Sequence, residues 1–260
     1  MNIIHGSGRR MARMCRKVIR LSMPFRIRKQ SASPAIRPWT NVDADWNRDL
    51  FLAYPPIEHV RNAPSQYAAL RSFFQSNKKE QREKLAEHFL VPKIGKPPYV
   101  VRPLRHERGE GFEVVTKLPP ETKASTHYWS SLWHRSSEYR VFFVRGEKVL
   151  TLLKRVPDGT RQDIPWSHGV SSFVTVHDEA HDRLRHTKFY EKAASFLAAY
   201  PFHFLCVDVL YHDCNHRVVE VNFSPNITIV ENLNSLAEKL SAPFLHDTRI
   251  RSGLTTARAA

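Results

Sequence analysis

Two apolar runs near the C-terminus constrain the fold more than any other part of the chain. They are FHFLCVDVLY (202–211) and HRVVEVN (216–222), with the turn formers Asp213 and Asn215 between them. Alternating runs separated by a short polar break read as a β-hairpin. In a strand, residues i and i+2 share a face, so Glu220 and Asn222 project side by side just before the SPN turn ends the strand. Asp208 sits on the first strand. A three-residue turn at 213–215 makes His212 face His216 and Asp208 face Glu220, with Asn222 as diagonal neighbour. A two-residue turn slips the register by one and turns Asp208 away.

Two carboxylates and an amide oxygen on one face suit a hard cation such as Mg²⁺, which binds through one or two carboxylates plus substrate phosphates. Without a cation the carboxylates would repel each other. The same spacing also suits a solvated face on which Asp208 or Glu220 pairs with one of the many arginines, and spacing alone favours that reading over the metal site.

The 260 residues, 42% of them hydrophobic, allow one large or two small globular domains. The net charge of +15 is uneven. Residues 1–42 carry Arg9, Arg10, Arg13, Arg16, Lys17, Arg20, Arg26, Arg28, Lys29 and Arg37 and no acid. This head reads as disordered. Three roles compete for it: an arm for a polyanion or acidic partner, an organellar targeting peptide, or a solubilising tail. No apolar run is long enough to span a membrane. The cysteines are Cys15, Cys206 and Cys214, an odd number with no CxxC, which speaks against a disulfide framework and for a reducing, cytoplasmic setting. HDCNH (212–216) holds ligand-type residues, but its spacing reads as a turn rather than a zinc site.

Along the chain, DLFLAY (49–54) reads as a short strand. Residues 64–89 read as two helices, the second opened by Ser76 as N-cap. Residues 99–115 read as a strand, a charged loop with Gly109 and Gly111 and a second strand, 126–133 read as extended, and a hairpin at 138–156 turns around Gly146. A further strand is predicted at 171–176. One helix is predicted over 182–200, with Phe189, Ala193, Phe196, Leu197 and Tyr200 forming a single apolar stripe. The last helix falls at 229–240. Strands joined by tight turns, with helices between them, give an α+β protein built on antiparallel sheets.

Two further elements carry chemistry. The loop RHERGEGF (105–112) places Gly109 and Gly111 between strands, where backbone amides approach phosphate oxygens, with Arg102 and Arg105 nearby. Taken alone it reads as an ordinary hairpin loop. Arg140 lies inside the strand EYRVFFV, and Lys154-Arg155 ends the next. Cations on the buried side of strands need an anionic partner, either a phosphoryl group or a structural carboxylate.

The order VVRPL-RHERGEGF, EYRVFFVRGEKV, KRV, VDV and VVEVNFSPNI resembles the ATP-grasp superfamily. It is most similar to the branch of ribosomal-protein glutamate ligases and glutathione synthetases. The resemblance covers about residues 76–242, and EVNFSP with its upstream Asp is its most specific part. It implies a two-lobed ATP-grasp fold with antiparallel sheets enclosing ATP. The implied division is a head at 1–42, a reduced N-terminal region at 43–75, a small lobe at 76–135, a large lobe with the metal hairpin at 136–245, and a loose tail at 246–260. By the same resemblance Asp208, Glu220 and Asn222 look like Mg²⁺ ligands. Arg140 and Lys154 or Arg155 look like contacts to phosphate or acyl phosphate. Gly109 and Gly111 belong to the phosphate-covering loop, Lys78 or Lys79 matches a helix-opening lysine, and Leu132 lies near the adenine hinge.

The chain departs from the pattern in places. Arg102 stands where Lys is usual, a rigid fork in place of a point charge. WSS at 129–131 lacks the usual hinge Glu. Asn226 follows the proline in place of Gly. Of WSHG (166–169) only His168 and Gly169 match. A separate N-terminal α/β domain is reduced or missing. The implied reaction is carboxylate–amine ligation of small-molecule or peptide substrates: a carboxylate attacks the γ-phosphate of ATP, and an amine displaces phosphate from the acyl phosphate. Two alternatives are a small-molecule kinase on the same fold, and a catalytically degenerate nucleotide-binding module whose basic head does the work.

Overall fold

Among the described residues strands outnumber helices, as the alternating apolar runs predict. The computed structural model describes residues 2–5, 26–29, 44–51, 60–105, 111–157, 159, 171–176, 178–223, 225, 236–238 and 241. In chain order the elements are β1 (Asn2–His5), β2 (Arg26–Lys29), β3 (Ala44–Asp45), β4 (Leu50–Phe51), β5 (Val60–Arg61), α1 (Tyr67–Gln75), α2 (Lys78–Ala86), β6 (Tyr99–Pro103), β7 (Glu113–Val115), a 3-10 turn (Glu121–Ser125), β8 (His127–Ser131), β9 (Ser137–Val144), β10 (Glu147–Arg155), β11 (Ser172–Val176), α3 (Asp178–His186), α4 (Phe189–Ala199), β12 (Phe204–His212) and β13 (Asn215–Asn222).

The larger sheet has the order β11-β10-β9-β12-β13 and is antiparallel throughout. A smaller antiparallel sheet has the order β7-β6-β8. This is the expected α+β architecture. Tight turns close both large-sheet hairpins. Arg145 and Gly146 take φ of 48° and 91°, and Asp213 and Cys214 take 45° and 57°. Two consecutive left-handed residues match the twist of the flanking strands.

One face of the large sheet is the main core. Tyr139, Val141 and Phe143 of β9, Leu205, Val207 and Val209 of β12, and Val218 and Val221 of β13 are buried there with Phe189, Ala193, Phe196 and Leu197 of α4. Phe73 of α1 meets Phe196 at 5.9 Å and Phe223 at 5.5 Å between ring centroids. Each fully buried side chain of this size contributes roughly 1.5–3 kcal/mol through the water it sheds.

Four expectations are corrected. The helix predicted over 182–200 is two, because Lys188 adopts a left-handed φ of 59°. Thr187 there donates its hydroxyl to Leu184 O at 2.7 Å. The apolar stripe survives because all its members lie after the break. The second cap is Asn77, not Ser76: the Asn77 side chain accepts from Lys79 N and Glu80 N, and Glu80 reciprocates. Ser76 instead donates back to Ser72 O. Within the head, the described residues 2–5 and 26–29 are strands: β1 pairs in parallel with β2 and with β4, and the rest of the head lies outside the described residues. Just beyond the head, β3 pairs in parallel with β5. Within DLFLAY, Leu50–Phe51 is strand, and 52–59 lie outside the described residues. Finally, the last hairpin has a two-residue turn, His212 facing Asn215. The final predicted helix is described only at residues 236–238 and 241, which are helical. The tail at 246–260 lies outside the described residues.

Candidate active site

The two-residue turn should have turned Asp208 away, yet Asp208 faces Glu220. The register shifts between Asp208 and Val209, and Val219 is the extra residue on β13. Up to Val218 the buried positions of β13 are even-numbered; after the bulge Val221 is buried, leaving Glu220 and Asn222 on the opposite face. A bulge that re-aims side chains near a sheet edge is a recurrent device. The edge itself is covered, since Val218 N donates to Leu90 O at 2.8 Å.

Across the sheet, Asp208 lies between Arg140 of β9 and Glu220 of β13 in one cross-strand row. Arg140 grips Asp208 with both arms of its fork, Nε to Oδ1 at 2.7 Å and Nη2 to Oδ2 at 2.8 Å. Burial works against the Arg140 charge, but the Asp208 carboxylate outweighs it and raises the pKa above its ordinary value. The guanidinium also lies 4.7 Å from the Phe173 ring centroid. Asn222 Nδ2 donates to Asp208 Oδ2 at 3.4 Å. Cys206, opposite Asn222, is fully buried, and burial pushes its thiol pKa up, which leaves it an unreactive thiol.

Lys154 lies in the same group of residues, donating to Glu138 Oε1 at 2.6 Å. Arg135 Nε stands 3.6 Å from Glu138 Oε2. Strand alternation sends Arg155 to the other face, where it is exposed. Lys78 at the start of α2 forms a direct ion pair with Glu220 of β13, whereas Lys79 is exposed. Arg102 donates to Ser130 Oγ at 3.4 Å. Burial lowers its pKa, while Tyr128, Glu220 and Glu138 act to restore it. Arg82 and Arg102 both lie 5.9 Å from the Tyr128 ring centroid, and Arg82 donates to Trp129 O at 3.2 Å. Leu132 N donates to Pro98 O at 2.7 Å.

The structure therefore brings Lys78, Arg102, Arg140, Lys154, Asp208, Glu220 and Asn222 into one neighbourhood and leaves Lys79 and Arg155 out of it. Gly111 has φ +70°, and a Cβ there would lie 3.1 Å from Pro103 Cγ, so the position needs glycine. Gly109, His168, Gly169 and Asn226 lie outside the described residues. Sequence reasoning missed the partners Glu138, Tyr128 and Arg82. The signal for Glu138 was its place two before Arg140 on the same strand face. Arg82 stands four after Lys78, on the same side of α2.

Two facing carboxylates, Asp208 and Glu220, with the diagonal amide of Asn222 on the same sheet face supply oxygen donors of the kind Mg²⁺ takes, and the surrounding cations suit phosphate oxygens. The donor set thus fits a metal–nucleotide complex. No group of three or more His, Cys, Asp or Glu that could hold a metal occurs among the described residues, so the 212–216 turn is no such site there.

No protein-family model and no curated protein matches the chain. Solved structures do. The ATP-grasp ligase PsnB complexed with minimal precursor matches with a TM-score of 0.57 at 10% identity, over 93% of this chain and 97% of that one. D-alanine–D-alanine ligase from Bacillus anthracis matches with 0.54 at 14%, over 99% and 98%. The macrocyclase MdnC from Microcystis aeruginosa MRC, bound with precursor peptide MdnA, matches with 0.52 at 11%, over 92% and 99%. At such identities the likeness speaks for the fold: the chain has the α+β, two-lobed ATP-grasp fold.

Proposed function

We propose that the chain is an ATP- and Mg²⁺-dependent carboxylate–amine ligase. The observation that carries this is the row Arg140–Asp208–Glu220, met from the small lobe by Lys78 and set in an ATP-grasp fold. Asp208, Glu220 and Asn222 would hold Mg²⁺, which when bound supplies charge neutralisation for phosphoryl transfer. Lys78 and Arg102 would bind phosphate oxygens from the small lobe, and Lys154 would do so from the large lobe. Arg140, anchored on Asp208 and presenting a rigid fork, would orient the acyl phosphate. A site made of cations and carboxylates works by positioning and electrostatics, which is what transfer from ATP to a carboxylate requires. No nucleophilic side chain is needed, since the substrate carboxylate attacks the γ-phosphate and an amine then displaces phosphate.

Structures of PsnB hold Mg and ADP, or a precursor peptide with AMPPNP, and D-alanine–D-alanine ligase was solved with ATP. They support ATP and Mg²⁺ here, and they make peptide as well as small-molecule carboxylates fitting substrates. The EVNFSP motif supports kinship with the ribosomal-protein glutamate ligase and glutathione synthetase branch.

The test is a thermal melt with and without Mg·ATP on wild type and Glu220→Gln. Wild type is expected to gain about 2.7 kcal/mol at a hundredfold excess over Kd, and the variant to gain nothing. Equal stabilisation of both would overturn the metal assignment. Hydroxylamine trapping of an acyl phosphate, with ADP release that needs both carboxylate and amine, separates a ligase from a kinase or a binding module.

A further inference from the structure

We infer that Lys78 makes the metal site conditional on nucleotide: the chain takes a divalent cation only together with a nucleoside triphosphate, because Glu220 must trade Lys78 for the cation. The inference rests on the ligase reading above and concerns the regulation of the same site.

Both candidate carboxylates are already neutralised from within the chain. Asp208 is held by two hydrogen bonds from Arg140. Glu220 is held by Lys78, with side-chain exposures of 30% and 23%. The two cations differ in how they are mounted. Arg140 is on the strand next to Asp208 and is 5% exposed, so it remains beside that carboxylate whatever binds. Lys78 reaches across from the other lobe. Its helix start is fixed by the Asn77–Glu80 capping box and by Lys78 N donating to Leu104 O at 3.0 Å. Its ammonium sits on a flexible four-carbon stem that swings without moving the helix.

A bare dication therefore meets a carboxylate already occupied by an ammonium, in a neighbourhood that also holds Arg102, Arg140 and Lys154. Releasing Lys78 without a new anion leaves a half-buried ammonium unpaired and adds positive charge to a positive cleft. Both changes oppose binding. A triphosphate removes the obstacle. Lys78 exchanges Glu220 for a phosphate oxygen, Glu220 exchanges Lys78 for the cation, and each charge keeps a partner throughout. The direct tie between the lobes is replaced by one that runs through the ligand. Each lobe therefore gives up its partner of the ligand-free state only when nucleotide and metal arrive together.

The experiment titrates Mn²⁺, followed by the loss of its free-ion EPR signal, into nucleotide-free protein and into protein saturated with AMPPNP. Wild type is expected to bind Mn²⁺ at least tenfold more tightly with AMPPNP than without it. Lys78→Gln is expected to bind Mn²⁺ alone at least tenfold more tightly than wild type does. Lys78→Arg, which keeps the charge, is expected to follow wild type, and adding Glu220→Gln to Lys78→Gln is expected to abolish the gain. Tight Mn²⁺ binding to nucleotide-free wild type, equal to that of Lys78→Gln, would overturn the exchange while leaving the ligase reading intact. Failure of wild type to bind Mn²⁺ even with AMPPNP would overturn the site assignment and this inference with it. Lys78 is the first residue of a helix whose cap lies on other residues, and the melt of each variant without ligand verifies folding.

Discussion

His216 shows how much one buried side chain contributes to the pH response. It is 1% exposed, its ring meets Phe189 edge-on at 5.6 Å, and neither ring nitrogen has a hydrogen-bond partner among the described residues. Burial, with Lys192 and Arg217 nearby, pushes its pKa from 6.5 down to about 4. The unfolded chain therefore binds a proton between those values that the folded chain refuses. Stability is full above about pH 6.5 and falls as pH drops toward 4, by about 3 kcal/mol from this residue. His203 acts in the same direction, since burial and Arg145 hold its pKa well below the ordinary value. His216→Leu removes a buried polar ring and fills the same apolar site. It is expected to melt no lower than wild type at pH 7.5 and to show a smaller loss on acidification to pH 4.5. An unchanged pH slope would show that His216 does not titrate in this window. Little of this is legible in the sequence. HRVVEVN shows a histidine in a strand, but only the docking of α4 makes that position apolar. The same holds for the Glu138–Lys154 and Lys78–Glu220 pairs, whose partners are 16 and 142 residues apart in the chain.

At the scale of elements, periodicity is the reliable guide, and local backbone is not. The stripe from Phe189 to Tyr200 and the strands of the large sheet follow from side-chain alternation. The break at Lys188 and the turn at Asp213-Cys214 depend on left-handed residues that no glycine announces. The register of the last hairpin illustrates the point. Asp208 faces Glu220 as the sequence suggests, but by a two-residue turn plus a bulge at Val219, not by a three-residue turn. Each deviation alone would misplace Glu220, and together they cancel. The turn carries a testable cost. Cys214 is exposed at φ 57°, a conformation that disfavours any side chain by roughly 1 kcal/mol, and Asp-Gly is the favoured pair for such a turn. Cys214→Gly is expected to stabilise the chain by about 1 kcal/mol, a rise in Tm of about 2–4 °C for a domain of this size. Against that gain stands the hydrogen bond from Tyr211 OH to Cys214 Sγ, which at 3.9 Å is long and weak. Cys214→Ala keeps the strained backbone and is expected to give no such gain. Equal melting of the two variants would mean the turn stores no strain.

At the scale of the whole molecule, strand β1 within the basic head pairs with β4 of the folded body. The head's composition suggests an independent arm, because ten cations without an acid cannot form a core. Composition does not report backbone pairing, however, and β1 adds a parallel strand beside β4, with Ile3 opposite Leu50 and Ile4 opposite Phe51. Leu50 and Phe51 are fully buried. Phe51 stacks with Trp46 at 5.3 Å, and Trp46 meets Tyr67 at 5.3 Å and His203 at 4.3 Å. Phe51 N also donates to His203 Nδ1 at 3.2 Å, joining β4 to the residue that leads into β12. Removing residues 1–42 would strip β4 of its neighbour and leave a two-residue strand to hold its place by side chains alone, which a short strand does poorly. The truncated chain is expected to melt several degrees lower than wild type. A full-length variant with Arg9, Arg10, Arg13, Arg16 and Lys17 changed to Gln keeps Asn2–His5 and Arg26–Lys29 and is expected to melt as wild type does. The pair separates what the head contributes through pairing from what it contributes through charge. Equal melting of the truncated and full-length chains would show that β1 adds nothing to the stability of the body.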